Sequence, residues 1–262
     1  KNSRSGSKKN ISFHYDLGNS FYEKWLDESM TYSSAMFKNP KDNLHKGQIN
    51  KYENLANITD VKENDKILEI GCGWGGFSSF LAKKYSANVT AITISKKQYE
   101  KAKQKIYDDK LTDKVDVKLL DYRNINGKYD KIVSIEMFEA VGEKYWSKYF
   151  DVLKKNLKPE GSIGLQTITI EDKFFQKYKK FPDFIQTYIF PGGMLPSVEE
   201  MDKVITSKGL HITNKTMFGN DYAKTIRIWS ESFENSWGCI KSLGFSESFK
   251  RLWNYYLGYC EG

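Results

Sequence analysis

Ile67-Leu68-Glu69-Ile70-Gly71-Cys72-Gly73-Trp74-Gly75-Gly76 is the stretch around which the rest of the chain is organised. A short apolar run ends in glycines, and residues 77–85 follow with helical spacing, which predicts a strand, a tight turn and a helix. Glycines let the backbone turn sharply and let a ligand come close to main-chain N–H groups at the start of a helix. Such a loop suits a nucleotide-like ligand.

Two spacings overlap here. Gly71, Gly73 and Gly76 satisfy the dinucleotide pattern G-x-G-x-x-G. Glu69, Gly71, Gly73 and Gly75 satisfy E-x-G-x-G-x-G, which resembles the first motif of class I S-adenosylmethionine (SAM) methyltransferases. A dinucleotide site expects an acid about 20 residues on, at the end of the next strand, to hold a ribose hydroxyl. That strand, Asn88-Val89-Thr90-Ala91-Ile92-Thr93-Ile94, runs into Ser95-Lys96-Lys97-Gln98 with no acid. SAM is therefore favoured over a dinucleotide, and a purely structural glycine turn is the bland alternative.

At 262 residues the chain accommodates one large α/β domain with additions, not two comfortable domains. A hydrophobic share of 39% with 15% aromatics supplies a core with rings to spare. No apolar run is long enough to span a bilayer, and no signal peptide is visible in a chain that begins at Lys1. Cys72, Cys239 and Cys260 have neither metal-like spacing nor an even count, which favours a reducing cytoplasm. His14, His45 and His211 lie far apart, so no metal site is expected. The net charge of +8 suits an anionic partner, although a lysine-rich solvated surface accounts for much of it.

Along the chain, residues 1–10 read as a mobile basic tail, with Lys1, Arg4, Lys8 and Lys9 and no acid. Ser20-x-x-Glu23 is a capping-box signature that predicts a helix over 21–26, and another helix is expected over about 44–58. Strands and helices then alternate, which predicts a doubly wound, mainly parallel α/β sheet. Strands are expected at 88–94, 115–120, 132–135 and 162–168, with helices at 98–107 and 145–157 and a turn at Pro159-Glu160-Gly161. A lid insertion follows the fifth strand over 171–195. A helix over 198–208 and a sixth strand over 210–217 resume the pattern, and helices over 222–237 and 247–259 close it. The expected organisation is a single domain over 11–262. It comprises a helical cap (11–62), a SAM-binding core (63–170) and a lid and acyl-substrate region (171–262).

A set of motifs occurs in order. It comprises His14-Tyr15-Asp16-Leu17, Met30-Thr31-Tyr32-Ser33, the glycine loop, Met137-Phe138-Glu139, Phe190-Pro191-Gly192-Gly193-x-Leu195-Pro196-Ser197 and Asp221-Tyr222-Ala223-Lys224-Thr225. Together they closely resemble the cyclopropane-fatty-acyl-phospholipid synthase family, which includes the mycolic acid cyclopropane synthases. The resemblance runs from about residue 11 to the end. It implies SAM as methyl donor and the double bond of a lipid acyl chain as acceptor. It implies SAM contacts from Tyr32 and Ser33, from Glu69, Gly71, Cys72, Gly73, Trp74, Gly75 and Gly76, from Thr93, Ile94, Ser95 and Gln98, and from Asp121, Tyr122 and Arg123. It also implies six parallel strands in the order 3-2-1-4-5-6, with a gap where a seventh, antiparallel strand of the family would lie beyond Gly262.

An alkene attacking a sulfonium methyl leaves a carbocation on the neighbouring carbon. That cation needs a dry pocket, aromatic faces and a base that removes one proton. By the resemblance the base is a bicarbonate ion, held at positions matching Glu139, Ile168 and Tyr222. Two matching positions depart from the family: Ser34 stands where most members have cysteine, and Gln166 where most have histidine. Both still donate hydrogen bonds, but glutamine cannot titrate. The expected product is a cyclopropane or a methyl- or methylene-branched chain. Cys260 reads as a small buried hydrophobe, since direct transfer needs no thiol.

Phe174, Tyr178 and Phe181 recur at helical spacing beside Lys173, Lys177 and Lys180, a basic amphipathic pattern suited to a bilayer interface. A lid packed on its own domain is the alternative. Expected partners are unsaturated phospholipid acyl chains, an anionic membrane surface and a second copy of the chain, with no nucleic acid. The expected location is cytoplasmic, peripheral on the inner membrane surface. Three other readings are weighed. A small-molecule N-methyltransferase would carry histidine-rich surroundings after M-F-E, where this chain has Ala140-Val141-Gly142. A DNA amino-methyltransferase would carry a P-P-Y-type tetrapeptide where Ile135-Glu136-Met137-Phe138 stands. A non-enzymatic lipid carrier would not need the glycine loop.

Overall fold

The computed structural model describes Gly6 and residues 17–262; the basic tail and His14-Tyr15-Asp16 otherwise lie outside the described residues. In chain order the elements begin with α1 (Asn19–Tyr22), α2 (Leu44–Ile58), β1 (Lys66–Ile70), α3 (Gly76–Tyr85), β2 (Asn88–Thr93) and α4 (Lys96–Asp108). They continue with β3 (Val115–Leu119), β4 (Tyr129–Ile135), α5 (Trp146–Asn156), β5 (Leu157–Gln166) and α6 (Asp172–Lys180). A π-helical turn (Ile185–Ile189), α7 (Val198–Ser207), α8 (Gly219–Asn235), α9 (Trp237–Ser242) and α10 (Glu247–Glu261) complete the chain. These elements divide into two compact units, one over Leu55–Lys215 and one over Leu17–Asn54 with Thr216–Gly262.

The first unit is a five-stranded sheet in the order β3-β2-β1-β4-β5, every neighbour parallel. The registers align apolar residues across it, with Leu68 opposite Ile132 and Ile132 opposite Ile163. A parallel sheet is covered on both faces, so its strands read as nearly continuous apolar runs rather than alternating ones. Ile67, Leu68, Ile132 and Val133 are fully buried. Phe138, Trp146, Tyr149, Phe150 and Leu153 extend that core across α5. The expected α/β architecture, with β1 central and its glycine turn at the carboxyl edge, is the one observed.

Three expectations are corrected. Residues 210–217 form no strand, and Ile212 and Met217 are exposed. A strand exists only through its ladder, and the expected arrangement left this segment a gap away from β5 with nothing to bond. Pro159-Glu160-Gly161 is not a turn between elements but a bulge inside β5: the pairing jumps from Tyr129–Leu157 to Lys131–Ser162. Proline brings no N–H to the ladder, so the strand skips past it. The helix expected over 21–26 is the short α1, with Gly18 as its N-cap at φ 97°. Ser20 therefore sits inside the helix and cannot cap it.

The lid segment also differs in detail. Phe175, not Phe174 or Phe181, is the buried ring of α6. Phe181 falls after the helix in extended conformation, so the expected i, i+4, i+7 stripe is broken at its last member.

The second unit is an aromatic core. Phe21 stacks edge-on against Trp253 (ring centroids 5.1 Å apart) and Trp25 against Trp229 (5.7 Å). Tyr32, Phe233, Phe249 and Tyr256 belong to the same cluster. Such edge-to-face pairs match the positive ring edge to the negative face.

Candidate active site

The glycine loop uses its glycines for three different reasons. Gly71, Gly73 and Gly75 all have positive φ, at 80°, 52° and 86°. A side chain on Gly71 would strike Met137 Cγ at 2.7 Å, and one on Gly75 would press on Ala102 Cβ of α4 at 3.3 Å. A side chain on Gly73 would meet nothing within 4 Å. Gly71 and Gly75 thus answer to protein packing, while Gly73 borders open space at the start of the ten-residue α3. Gly76 is the first residue of that helix, so the left-handed glycines follow the E-x-G-x-G-x-G spacing rather than the dinucleotide one. Cys72 and Trp74 are buried, and the N–H groups of Gly71 and Cys72 both donate to Ile92 O, at 2.9 and 3.0 Å.

Glu69 lies beneath this loop, buried, and accepts a hydrogen bond from Ser78 Oγ of α3. Burial raises its carboxyl to about 7 despite that bond. Its carboxylate is thus tied to the helix that follows the loop. At the end of β2, Thr93, Ser95 and Gln98 interlock. Ser95 caps α4 by accepting from Gln98 N at 3.3 Å, and Thr93 Oγ1 donates to Gln98 Oε1 at 2.9 Å. Ile94 between them is half-buried. After β3, Asp121 caps a short 3-10 turn, and Arg123 grips it through Nε at 2.8 Å and Nη2 at 2.5 Å. Tyr122 packs edge-on against Tyr149, and its burial pushes its phenol up to about 12. The Leu120 N–H donates to Thr93 O at 2.9 Å, which holds these two strand ends side by side.

The ends of β4 and β5 form a second corner. Glu139 Oε1 accepts from Ile168 N at 2.5 Å and from Thr167 Oγ1 at 2.9 Å, whereas its Oε2 is buried with no partner among the described residues. Burial first, and then the neighbouring Glu136, raise Glu139 to about 8. Gln166 donates its amide to Glu136 Oε1 at 2.9 Å. Glu136 and Thr167 were missed by sequence reasoning. Two acids three residues apart in Glu136-Met137-Phe138-Glu139 were the available signal. The strand ends therefore gather Glu69, the loop 71–76, residues 93–98, residues 121–123, Glu139, Gln166 and Ile168 along the carboxyl edge of one sheet, where ligands of open α/β sheets sit.

Tyr32, Ser33, Ser34 and Tyr222 belong to the second unit. The Tyr32 and Tyr256 hydroxyls share a hydrogen bond of 2.7 Å. Ser33 Oγ accepts from the buried Lys51 Nζ at 2.6 Å, and its carbonyl accepts from Gln48 at 2.9 Å. Ser34 donates to Ala35 O at 3.0 Å, and the Ala35 N–H donates to Thr225 Oγ1 of α8, also at 3.0 Å. Tyr222, half-buried, lies one turn before Thr225 on that helix. The segment 32–35 is thus held between α2 and α8. Among the described residues no cluster of three His, Cys, Asp or Glu could hold a metal ion.

The space beside Gly73, the N–H groups at the start of α3 and the free Glu139 Oε2 fit a nucleoside-bearing cofactor and a small hydrogen-bonding ion. The family profile for mycolic acid cyclopropane synthetase matches residues 2–262. The tuberculostearic acid methyltransferase UfaA1 of Mycobacterium tuberculosis is 36% identical over 267 residues, covering 99% of this chain and 62% of that protein. The cyclopropane-fatty-acyl-phospholipid synthase of Escherichia coli is 38% identical over 251 residues, covering 95% and 62%. The chain thus spans under two thirds of the length of these curated relatives. The crystal structure of the mycolic acid cyclopropane synthase CmaA1 complexed with SAH and CTAB superposes with a TM-score of 0.91 at 29% identity, over 97% of this chain and 92% of that one.

Proposed function

The chain belongs to the mycolic acid cyclopropane synthetase family, and from that premise we propose that it methylates the double bond of unsaturated acyl chains in phospholipids, using SAM. The observation that carries this reading is the carboxyl edge of the sheet, where a glycine loop with open space at Gly73 and a carboxyl with one free oxygen follow the ends of adjacent strands.

When bound, SAM supplies a methyl electrophile: the alkene π pair forms the new C–C bond as the S–C bond breaks. The loop 71–76 and the segments 93–98 and 121–123 are the residues of the first unit that hold it. Tyr32, Ser33, Ser34 and Tyr222 take their assignment from the motif resemblance. The positive charge left on the neighbouring carbon is discharged by loss of one proton. Glu139, fixed through Oε1 by Ile168 and Thr167, presents Oε2 to hydrogen-bond the group that takes this proton. A bicarbonate ion fits that role, because a protonated Glu139 donates to an anion and an ionised one accepts from its hydroxyl. Loss of the proton from the transferred carbon closes a cyclopropane, the product expected with Glu139 and Tyr222 retained. Loss from a carbon of the acyl chain instead leaves a methyl-branched alkene.

The substrate sits in a lipid aggregate, and α6 supplies a surface for it. Phe174, Phe181 and Tyr188 are exposed alongside Lys177 and Lys180, the composition of a segment that settles at a charged bilayer interface. No helix among the described residues is long and apolar enough to cross a membrane. An acidic lipid surface is the partner this pattern supports.

The test incubates the chain with SAM and vesicles of unsaturated phospholipid, with and without bicarbonate, and resolves the acyl products by mass spectrometry and NMR. A gain of one methylene per double bond as a cyclopropane, dependent on bicarbonate, is expected. A branched product indifferent to bicarbonate would show that Ser34 and Gln166 mark a different outcome. No acyl product at all would sink the reading.

A further inference from the structure

We propose that Glu136 is a positioning residue for the reaction: its carboxylate holds the Gln166 amide at the strand end that also grips Glu139, and so sets a charge beside that acid. The inference rests on the methyltransferase reading, which makes Glu139 part of the site that handles the proton.

Two hydrogen bonds join Glu136 to Gln166. The Glu136 N–H donates to Gln166 O at 2.8 Å, and the Gln166 amide donates to Glu136 Oε1 at 2.9 Å. Between them they hold Glu136 at φ 46°, a left-handed conformation sparsely used by residues with a Cβ. The next two residues of the same strand end, Thr167 and Ile168, grip Glu139. Residues 166–168 are therefore a clamp on two carboxylates three residues apart. The titrating side chain expected by resemblance at position 166 is absent, and a carboxylate lies against the glutamine in its stead.

The other groups around Glu139 leave this role to Glu136. Tyr149 of α5 interacts with it electrostatically, but burial holds the Tyr149 phenol above the ordinary tyrosine range, so it stays neutral. The segments that bond Glu139, 167–168 and Met194, bring no titratable side chain. Desolvation sets the base level of the Glu139 carboxyl, and the Glu136 charge raises it further. With two acids so coupled, the protons belong to the pair. Ionising Glu139 beside an ionised Glu136 is the disfavoured step.

The experiment follows the Glu139 carboxyl by carbon-13 NMR across pH in the full chain and in Glu136→Gln, with Glu139→Gln assigning the signal. Glutamine keeps the shape and still accepts the Gln166 amide through its carbonyl. Glu139 is expected to titrate about one pH unit lower in Glu136→Gln, and near the wild-type position in Glu136→Asp, which keeps the charge. The limb of the methyl-transfer pH profile that reports Glu139 should move by the same amount and in the same direction. An unmoved titration in Glu136→Gln, or an equal shift in Glu136→Asp, overturns the inference. Absence of methyl transfer by the wild type overturns the methyltransferase reading alone, because the NMR titration decides the role of Glu136 without activity.

Discussion

The Ile168 N–H donates to Glu139 Oε1 at 2.5 Å, while the other oxygen of the same carboxyl is buried and bonded to nothing described. One half of the group is anchored and the other has no partner among the described residues. An anchored carboxyl raised to about 8 also leaves a signature in stability. Its folded value lies above its unfolded one, so its stabilising contribution is complete below the ordinary carboxylate range and is lost as pH rises toward 8. Wild type should therefore lose stability relative to Glu139→Gln between pH 5 and 8, by on the order of 2 kcal/mol. Thermal melts across that range check it, and parallel curves for the two proteins would contradict it. Glu139→Gln should also lose most methyl transfer.

Glu69 and Ser78 offer a second test, confined to the fold. Ser78→Ala removes a donor to a buried carboxyl and should cost about 1–3 kcal/mol. The bond favours the ionised form, so its loss raises the Glu69 carboxyl above its present level of about 7. The destabilisation should grow as pH rises past neutrality. A cost that does not vary between pH 6 and 9 would mean that Glu69 is not the partner that matters.

The loop glycines should separate by assay. Gly71→Ala meets Met137 at 2.7 Å and should destabilise the fold by about 2–3 kcal/mol. Gly73→Ala has room and should cost only the left-handed backbone, about 1–2 kcal/mol. Gly73→Val fills the space beside the loop and should abolish SAM binding in calorimetry while circular dichroism still shows the sheet. Unchanged SAM affinity in a folded Gly73→Val protein would remove the loop from the site.

Binding to vesicles should follow the charge and rings of α6. Lys177→Glu with Lys180→Glu should weaken sedimentation with acidic vesicles by about 1 kcal/mol per lysine, and more steeply at low salt. Lys173 is a weaker contributor because it already pairs with Glu171 at 2.7 Å. Phe174→Ser with Phe181→Ser should weaken binding to acidic vesicles at any salt. Equal binding of wild type to neutral and acidic vesicles would rule out an electrostatic surface here.

The apolar run ending at Ile70, the glycines after it and the alternation that follows were enough to place β1 to β4 and the loop at their carboxyl edge, because burial on both faces writes itself into each strand locally. The helix over 44–58 was legible for the same reason. What the glycines do was not. Gly71, Gly73 and Gly75 look alike in sequence, yet one answers to Met137, one to Ala102 and one to open space.

Tertiary structure alone decided the rest. Residues 210–217 carry strand-like residues but no ladder, since a strand depends on a neighbour that its own sequence cannot supply. Phe21 and Trp253 lie at opposite ends of the chain and share one aromatic core, as do the hydroxyls of Tyr32 and Tyr256. Glu136 was one acid among many until its backbone turned left-handed and Gln166 closed on it. Local pattern determines which elements form, because helix and strand burial recur at short periods. Which distant side chains meet depends on how those elements pack, and no short period records that.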